Sequence, residues 1–342
     1  MSEQPRRVGV AVVGAGYWGI NHVRVMAGEP GADLKVICDL DAGLLDRAGR
    51  FCPTAQKTSE FSAVLESSDV EAIVIATPGG THASLAKAAL ETGKHVLVEK
   101  PLAHSRQEAE ELRDLANEKG VMLSVGHLMV YHPIVEHLRT LLQSGDLGEL
   151  YYLYASRVNL GRLRSDENAL WSFGPHDLSI IDFLMGEAPL RVHAQGQSYL
   201  QKGIEDVVFV TLEFSGGRMA HVHLSWLDPR KERRLTLVCS KKMVEFDDVS
   251  AEKLRIYDKG YQRPPEFTEF AEYLSLRHGD VYIPHVPMKE PLSMEAKAFL
   301  HGVRTGEPPR ADADSAVRIV SVLEAAQSSL DQGGIPIEIS PA

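Results

Sequence analysis

Residues 8–39 constrain the fold of this chain more than any other stretch. An apolar run, Val8-Gly9-Val10-Ala11-Val12-Val13, leads directly into Gly14-Ala15-Gly16-Tyr17-Trp18-Gly19. A stretch of helical period follows, then a second apolar run, Leu34-Lys35-Val36-Ile37-Cys38, which ends at Asp39. Strand, glycine turn, helix, strand and acid in that order form the pattern of a dinucleotide-binding unit. Gly14 permits the tight turn, Gly16 lets the backbone approach a pyrophosphate, and Gly19 lets the helix sit close to the strand. The helix N-terminus then faces the phosphates. Asp39, 20 residues after Gly19, is placed to accept hydrogen bonds from both ribose hydroxyls. A carboxylate there repels a 2′-phosphate, and Leu40 and Asp41 supply no arginine to attract one. The pattern therefore selects NAD over NADP.

At 342 residues the chain is long enough for two domains with a large buried core. Lysine and arginine number 36 against 47 acids, a net charge of −11, and no basic stripe is interleaved with aromatics. That balance argues against a nucleic-acid partner. The nearest candidate, Arg230-Lys231-Glu232-Arg233-Arg234, is short and interrupted by an acid. Three cysteines, Cys38, Cys52 and Cys239, lack metal-ligand spacing and read as thiols in a reducing compartment. No metal is expected. The polar N-terminus and the lack of a long apolar run point to a cytoplasmic protein with no membrane partner.

Along the first third, strand and helix alternate. Further strands are expected at 70–76, 95–98 and 121–125, with helices over 82–93 and 105–119, the latter followed by Gly120. This is the pattern of a parallel, doubly wound sheet. An amphipathic helix is expected over 133–143. Alternating strands are then read at 151–158, 191–198, 206–214, 218–226, 234–240 and 243–246, with Ser215-Gly216-Gly217 as a hairpin turn. A helix from about His176 to Met185 interrupts the series, and two helices near 293–305 and 314–332 close the chain. The fold class is α/β: an N-terminal Rossmann domain over 1–127, then an α+β domain over 128–342 with a large open, mainly antiparallel sheet.

Three further motifs carry chemistry. Thr77-Pro78-Gly79-Gly80-Thr81-His82 follows the third strand, where such sheets bind ligands beyond the strands' carboxyl ends. Glu99-Lys100-Pro101 closes the fourth strand. A lysine at that rim, partly desolvated, is placed to exchange a proton with a substrate hydroxyl, and Glu99 to position or neutralise it. Trp171-Ser172-Phe173-Gly174-Pro175-His176-Asp177 opens the interposed helix. There His176 can relay a proton or orient a hydroxyl, and Asp177 can fix its tautomer or the helix start.

These motifs together resemble the Gfo/Idh/MocA family, the glucose–fructose oxidoreductase and inositol dehydrogenase-like proteins. The resemblance runs through Gly14–Gly19, Thr77-Pro78 with His82, Glu99-Lys100-Pro101, Gly126-His127 with His132-Pro133, and His176-Asp177. It implies an NAD(P)-dependent oxidoreductase acting on a CH–OH group, a homodimer or homotetramer built on the C-terminal sheet, and reversible hydride transfer at a sugar or cyclitol carbon. Cofactor contacts are implied for Gly14, Gly16, Tyr17, Trp18, Gly19, Asp39, Thr77, Pro78, His82, Glu99, Lys100 and His127, the last standing where many relatives carry asparagine near the nicotinamide. The family's usual active site joins the lysine of Glu-Lys-Pro to an aspartate and a histidine four residues apart. Lys100 and His176 match two of these as catalytic residues, and Ser172 stands at the third. A serine hydroxyl hydrogen-bonds but does not act as a base near neutral pH, which leaves proton transfer to Lys100.

The segments Leu170–Asp177, Ser225–Lys231 and Glu290-Pro291-Leu292 resemble the branch associated with nucleotide-sugar and surface-polysaccharide biosynthesis. That branch implies oxidation at C3 of a UDP-N-acetylhexosamine such as UDP-N-acetylglucosamine, or of its uronate, with Asn159, Ser172 and His176 orienting the substrate. Arg157, Arg162 and Arg164 either pair with the diphosphate or belong to a solvated loop. A free-sugar or cyclitol dehydrogenase is the second reading. A catalytically silent NAD-binding regulatory protein is the third, and the intact Glu99-Lys100-Pro101 argues against it.

Overall fold

The computed structural model describes residues 6–161, 163–262 and 275–340. The first part of the chain runs β1 (Val8–Val13), α1 (Gly19–Gly28), β2 (Ala32–Cys38), α2 (Ala42–Ala48), β3 (Gln56–Thr58), α3 (Phe61–Glu66), β4 (Ala72–Ile75), α4 (His82–Glu91), β5 (His95–Val98), α5 (Arg106–Lys119) and β6 (Leu123–Val125). The six strands pair in the order β3-β2-β1-β4-β5-β6, and every pairing is parallel. Chain order reverses between β1 and β4, so the crevice beyond their carboxyl ends is the expected place for a ligand. Alternate residues of β1 enter opposite cores: Val8, Val10 and Val12 on one face, Ala11 and Val13 on the other. Short, polar β3 and the brief α2 and α3 have no apolar period, and the sequence reading passed over them.

The second part runs α6 (Pro133–Gln143), β7 (Leu150–Leu160), α7 (Ala169–Met185), β8 (Arg191–Gln197), β9 (Val207–Glu213), β10 (Met219–Ser225), β11 (Leu227–Cys239), β12 (Met243–Asp247), β13 (Leu254–Gln262) and β14 (Ser275–Tyr282). The chain closes with α8 (Pro291–Thr305), α9 (Ala313–Asp331) and β15 (Ile337–Glu338). The nine strands β7–β15 form one sheet in the order β14-β13-β12-β11-β7-β10-β9-β8-β15, antiparallel except where β7 meets β10. Gly216 and Gly217, at φ of +67° and +77°, make the expected hairpin between β9 and β10. On one face Leu153, Ala155, Val208, Val210, Val222 and Leu224 are buried, while Tyr152, Tyr154, Phe209 and Met219 on the other are exposed.

Two compact units result: 1–131 with 289–321, and 132–288 with 322–341. The expected single boundary at 127/128 differs from this division, because 289–321 returns to the first unit. Apolar periodicity in α8 explains the return. Leu292, Ala296, Phe299 and Leu300 join the core that β1 and α1 build, each large side chain contributing about 1.5–3 kcal/mol on burial. Burial also pushes the thiols of Cys38 and Cys239 up, to about 11 and about 12, as expected of inert thiols.

Candidate active site

In the first unit the glycine loop has the geometry its spacing demands. Gly14 adopts φ +89°, and a Cβ there would lie 2.6 Å from the Ala76 carbonyl oxygen. A Cβ on Gly19 would lie 1.9 Å from the Gly14 oxygen, so only glycine lets α1 approach β1 this closely. At Gly16, by contrast, a Cβ would meet no protein atom within 4 Å. That is the cradle a pyrophosphate fills. No side chain caps α1, and the Ile20 and Asn21 N–H groups donate to the Gly16 and Trp18 oxygens at 3.1 and 2.9 Å. The Asp39 carboxylate accepts from the Ala15 N–H (2.6 Å) and the Asp41 N–H (2.9 Å). Each oxygen retains a lone pair for a ribose hydroxyl. These residues fit NAD.

At the carboxyl end of β5, Glu99 is buried. Its Oε1 accepts from the Trp18 indole N–H and from His22 Nε2 (2.8 Å), and its Oε2 accepts from the Lys100 backbone N–H at 3.2 Å. A Cβ on Gly126 would lie 3.0 Å from Oε2, so a glycine is needed beside it. Burial raises the Glu99 pKa, but His22 and the charge of Lys100 outweigh it and hold the group below the usual carboxylate range. Glu99 is thus engaged within the protein by Trp18, His22 and the Lys100 N–H. Lys100 itself is half-buried, its backbone N–H on this carboxylate.

His82 departs from expectation. It is buried, with Nδ1 2.7 Å from the Pro101 oxygen and Nε2 2.9 Å from the Thr77 oxygen. Both ring nitrogens brace the backbone, tying the loop after β4 to the one after β5. In the former, Thr77 Oγ1 lies 2.7 Å from Thr81 Oγ1, and Pro78 is exposed. Tyr17 is 92% exposed on the glycine loop. His127 is buried with Nδ1 unpartnered, and burial lowers its pKa to about 4, so the ring is neutral near pH 7. Among the described residues no cluster of ligating side chains suits a metal ion.

In the second unit α7 begins at Ala169, well before the expected start at His176. Asn168 Oδ1 caps it by accepting from the Trp171 N–H (3.1 Å), while Asn168 Nδ2 donates to Glu205 (2.6 Å) and Gln327 (2.9 Å). Gly174-Pro175 reads as a helix boundary, yet lies inside the helix. Tertiary packing accounts for this: a Cβ on Gly174 would touch Leu323, Leu170 and Leu224 at 3.2–3.5 Å. Ser172, buried, and His176, half-buried, are four residues apart and so share one helix face. Asp177 takes a bidentate pair from buried Arg157, Nε to Oδ2 at 2.6 Å and Nη2 to Oδ1 at 3.1 Å. Arg157 is thereby removed from any diphosphate site. Arg164 is exposed and pairs with Glu167 at 3.0 Å, Arg162 lies outside the described residues, and Asn159 is half-buried near the end of β7.

His22 and Trp18 were the partners that sequence reasoning missed for Glu99. One signal was present, since Gly19, His22, Val23 and Met26 form the buried stripe of α1, and a histidine on such a stripe needs a polar partner.

Comparison with known proteins agrees with this geometry. Residues 8–127 match the model of an oxidoreductase family with an NAD-binding Rossmann fold, and residues 135–245 match the GFO/IDH/MocA C-terminal domain. An inositol 2-dehydrogenase of Paenarthrobacter aurescens is 32% identical over 231 residues, 64% of this chain and 68% of that protein. A UDP-N-acetylglucosamine 3-dehydrogenase of Acidithiobacillus ferrooxidans is 28% identical over 230 residues, 64% of this chain and 72% of that protein. The crystal structure of GenD2 from gentamicin A biosynthesis, in complex with NAD, superposes with a TM-score of 0.83 at 25% identity, covering 99% of this chain and 98% of that one. Other curated relatives, among them a 2,7-anhydro-N-acetylneuraminate hydratase of Mediterraneibacter gnavus, are matched over only about 60% of their own length.

Proposed function

The chain belongs to the Gfo/Idh/MocA oxidoreductase family, and from that premise we propose that it is an NAD-dependent dehydrogenase oxidising a ring hydroxyl, at C3, of a nucleotide sugar such as UDP-N-acetylglucosamine. The observation that carries the enzymatic reading is Lys100 at the carboxyl end of β5, beside a buried carboxylate and in the same unit as the glycine cradle. NAD, when bound, supplies the acceptor for the hydride that leaves the carbinol carbon. Lys100 takes the hydroxyl proton, so the products are a ketone, the reduced cofactor and a protonated lysine. Ser172, His176 and Asn159 orient the substrate, which is where much of the rate is gained. Support for a nucleotide sugar comes from the likeness to the Acidithiobacillus enzyme and from the loop that bears Arg162 and Arg164. Arg157 no longer contributes.

A second reading, a free-sugar or cyclitol dehydrogenase, is favoured by the 32% identity to the inositol 2-dehydrogenase. Assembly as a homodimer or homotetramer through the sheet β7–β15 accompanies either reading. It is supported by the exposed Tyr152, Tyr154, Phe209 and Met219 on one face, and sedimentation of a Phe209→Lys variant tests it. Among the described residues no helix is long and apolar enough to cross a membrane.

The deciding experiment follows NADH absorbance with purified protein, NAD and a panel of UDP-N-acetylhexosamines, their uronates, free sugars and inositols. Turnover confined to UDP-sugars is the expected result. Turnover with inositol or a free sugar replaces the first reading by the second.

A further inference from the structure

The groups around Glu99 differ in whether each carries charge. On α1, His22 is 1% exposed and gives Nε2 to Glu99, while its Nδ1 is buried and faces no partner. Nε2 is thus the ring nitrogen that holds the Glu99 carboxylate, at 2.8 Å. On α8, Glu295 is 1% exposed, its Oε1 has no partner, and burial together with the charge of Glu99 pushes its pKa well up. Burial therefore favours the protonated form of Glu295. His127, after β6, is neutral. Trp18 contributes an uncharged N–H. Among the described groups around Glu99, His22 and Lys100 are the ones whose interaction favours its charge.

We infer that Glu99, held in place and ionised by Trp18 and His22, sets how tightly Lys100 holds its proton, and that His22 is the positioning residue on which this depends. The inference rests on the proposed role of Lys100 in proton transfer. Its consequence is a direction. A neighbouring carboxylate favours the ammonium, so Lys100 is poised near neutral pH to donate a proton to a ketone. Oxidation of the alcohol, which needs the free amine, is then fastest at alkaline pH. Removing the charge of Glu99 frees the amine at lower pH.

The test measures Lys100 itself. The rate at which trinitrobenzenesulfonate labels Lys100, read by mass spectrometry of the peptide across pH 6–11, gives its protonation without substrate or turnover. Glu99→Gln is expected to move the labelling midpoint down by about one unit or more. His22→Leu is expected to move it in the same direction by less, and His22→Gln, which keeps a donor near the Nε2 position, to restore the wild-type midpoint. In a Glu99→Gln background His22→Leu should add nothing, since it acts through Glu99. Glu295→Gln, which mimics the protonated form that burial favours, should leave the midpoint in place. An unchanged midpoint in Glu99→Gln overturns the inference, and so does a shift in His22→Gln as large as in His22→Leu. If His22→Leu does not fold, Glu99→Gln and His22→Gln still decide. The acidic limb of the kcat/KM profile should follow the labelling midpoint. A shifted midpoint in a protein that turns over no sugar would sustain the inference and sink the dehydrogenase reading instead.

Discussion

Two buried carboxylates lie near the catalytic candidates, one in each unit, and they are held in opposite ways. Asp177 receives both arms of the Arg157 guanidinium, so its charge is cancelled by a fixed cation of matching geometry. Glu99 receives an indole N–H, an imidazole nitrogen and a backbone N–H, donors that hold a carboxylate without cancelling it. The first pair fastens α7 to β7 and so fixes Ser172 and His176. The second holds Glu99 beside Lys100 without a guanidinium, so the donor sets distinguish the two carboxylates.

The comparison is broken most directly at the lysine. Lys100→Met should lower kcat on the order of 10³-fold, the scale of a lost general base, while NAD binding, followed by quenching of intrinsic fluorescence, stays close to wild type. Turnover within tenfold of wild type would remove the chemical half of the contrast. The architectural half is sharpened by Asp177→Leu, which leaves the Arg157 guanidinium buried and unpaired. It should cost about 3–5 kcal/mol in urea denaturation, most of it recovered in the double variant Arg157→Met, Asp177→Leu. The same change should lower kcat without moving the pH at which kcat/KM rises. Glu99→Gln should behave in the reverse manner, with a smaller loss of stability and a displaced profile.

How much of this was visible in the sequence depended on whether a residue's partner lies nearby in the chain. Gly14, Gly16 and Gly19 constrain one another within six residues, and β1, β2 and β5 are largely apolar runs, so spacing alone located β1, α1, β2, β5 and α5. Strands such as β13 and β14 alternate weakly and carry charges in Leu-Arg-Ile-Tyr-Asp-Lys and Arg-His-Gly-Asp, and they form because the sheet offers an edge to pair with. The start of α7 was misplaced because Gly174-Pro175 is a local stop signal, and the packing of Gly174 against Leu224 and Leu323 overrides it. Lys100 and His176 were found through motifs. Their supports were not, because His22 stands 77 residues before Glu99 and Arg157 stands 20 before Asp177, and only the fold brings such pairs together. Arg157 shows the cost of reading a charge without its partner: the sequence left it between a diphosphate partner and a solvated loop, and it is buried against Asp177.

A smaller effect lies in stability against pH. Burial lowers the His127 pKa from the usual 6.5 to about 4. The unfolded chain therefore binds more protons between those values, so the stabilisation is complete above pH 6.5 and is lost as pH falls toward 4. The loss is at most about 3 kcal/mol. Glu295 works in the opposite sense. Its raised pKa means that the folded state holds a proton the unfolded state releases, so stability falls as pH rises above 4.5. His127→Asn should therefore flatten the acid side of a plot of Tm against pH, and Glu295→Gln the alkaline side, with the Glu295→Gln gain over wild type growing from pH 4 to pH 8.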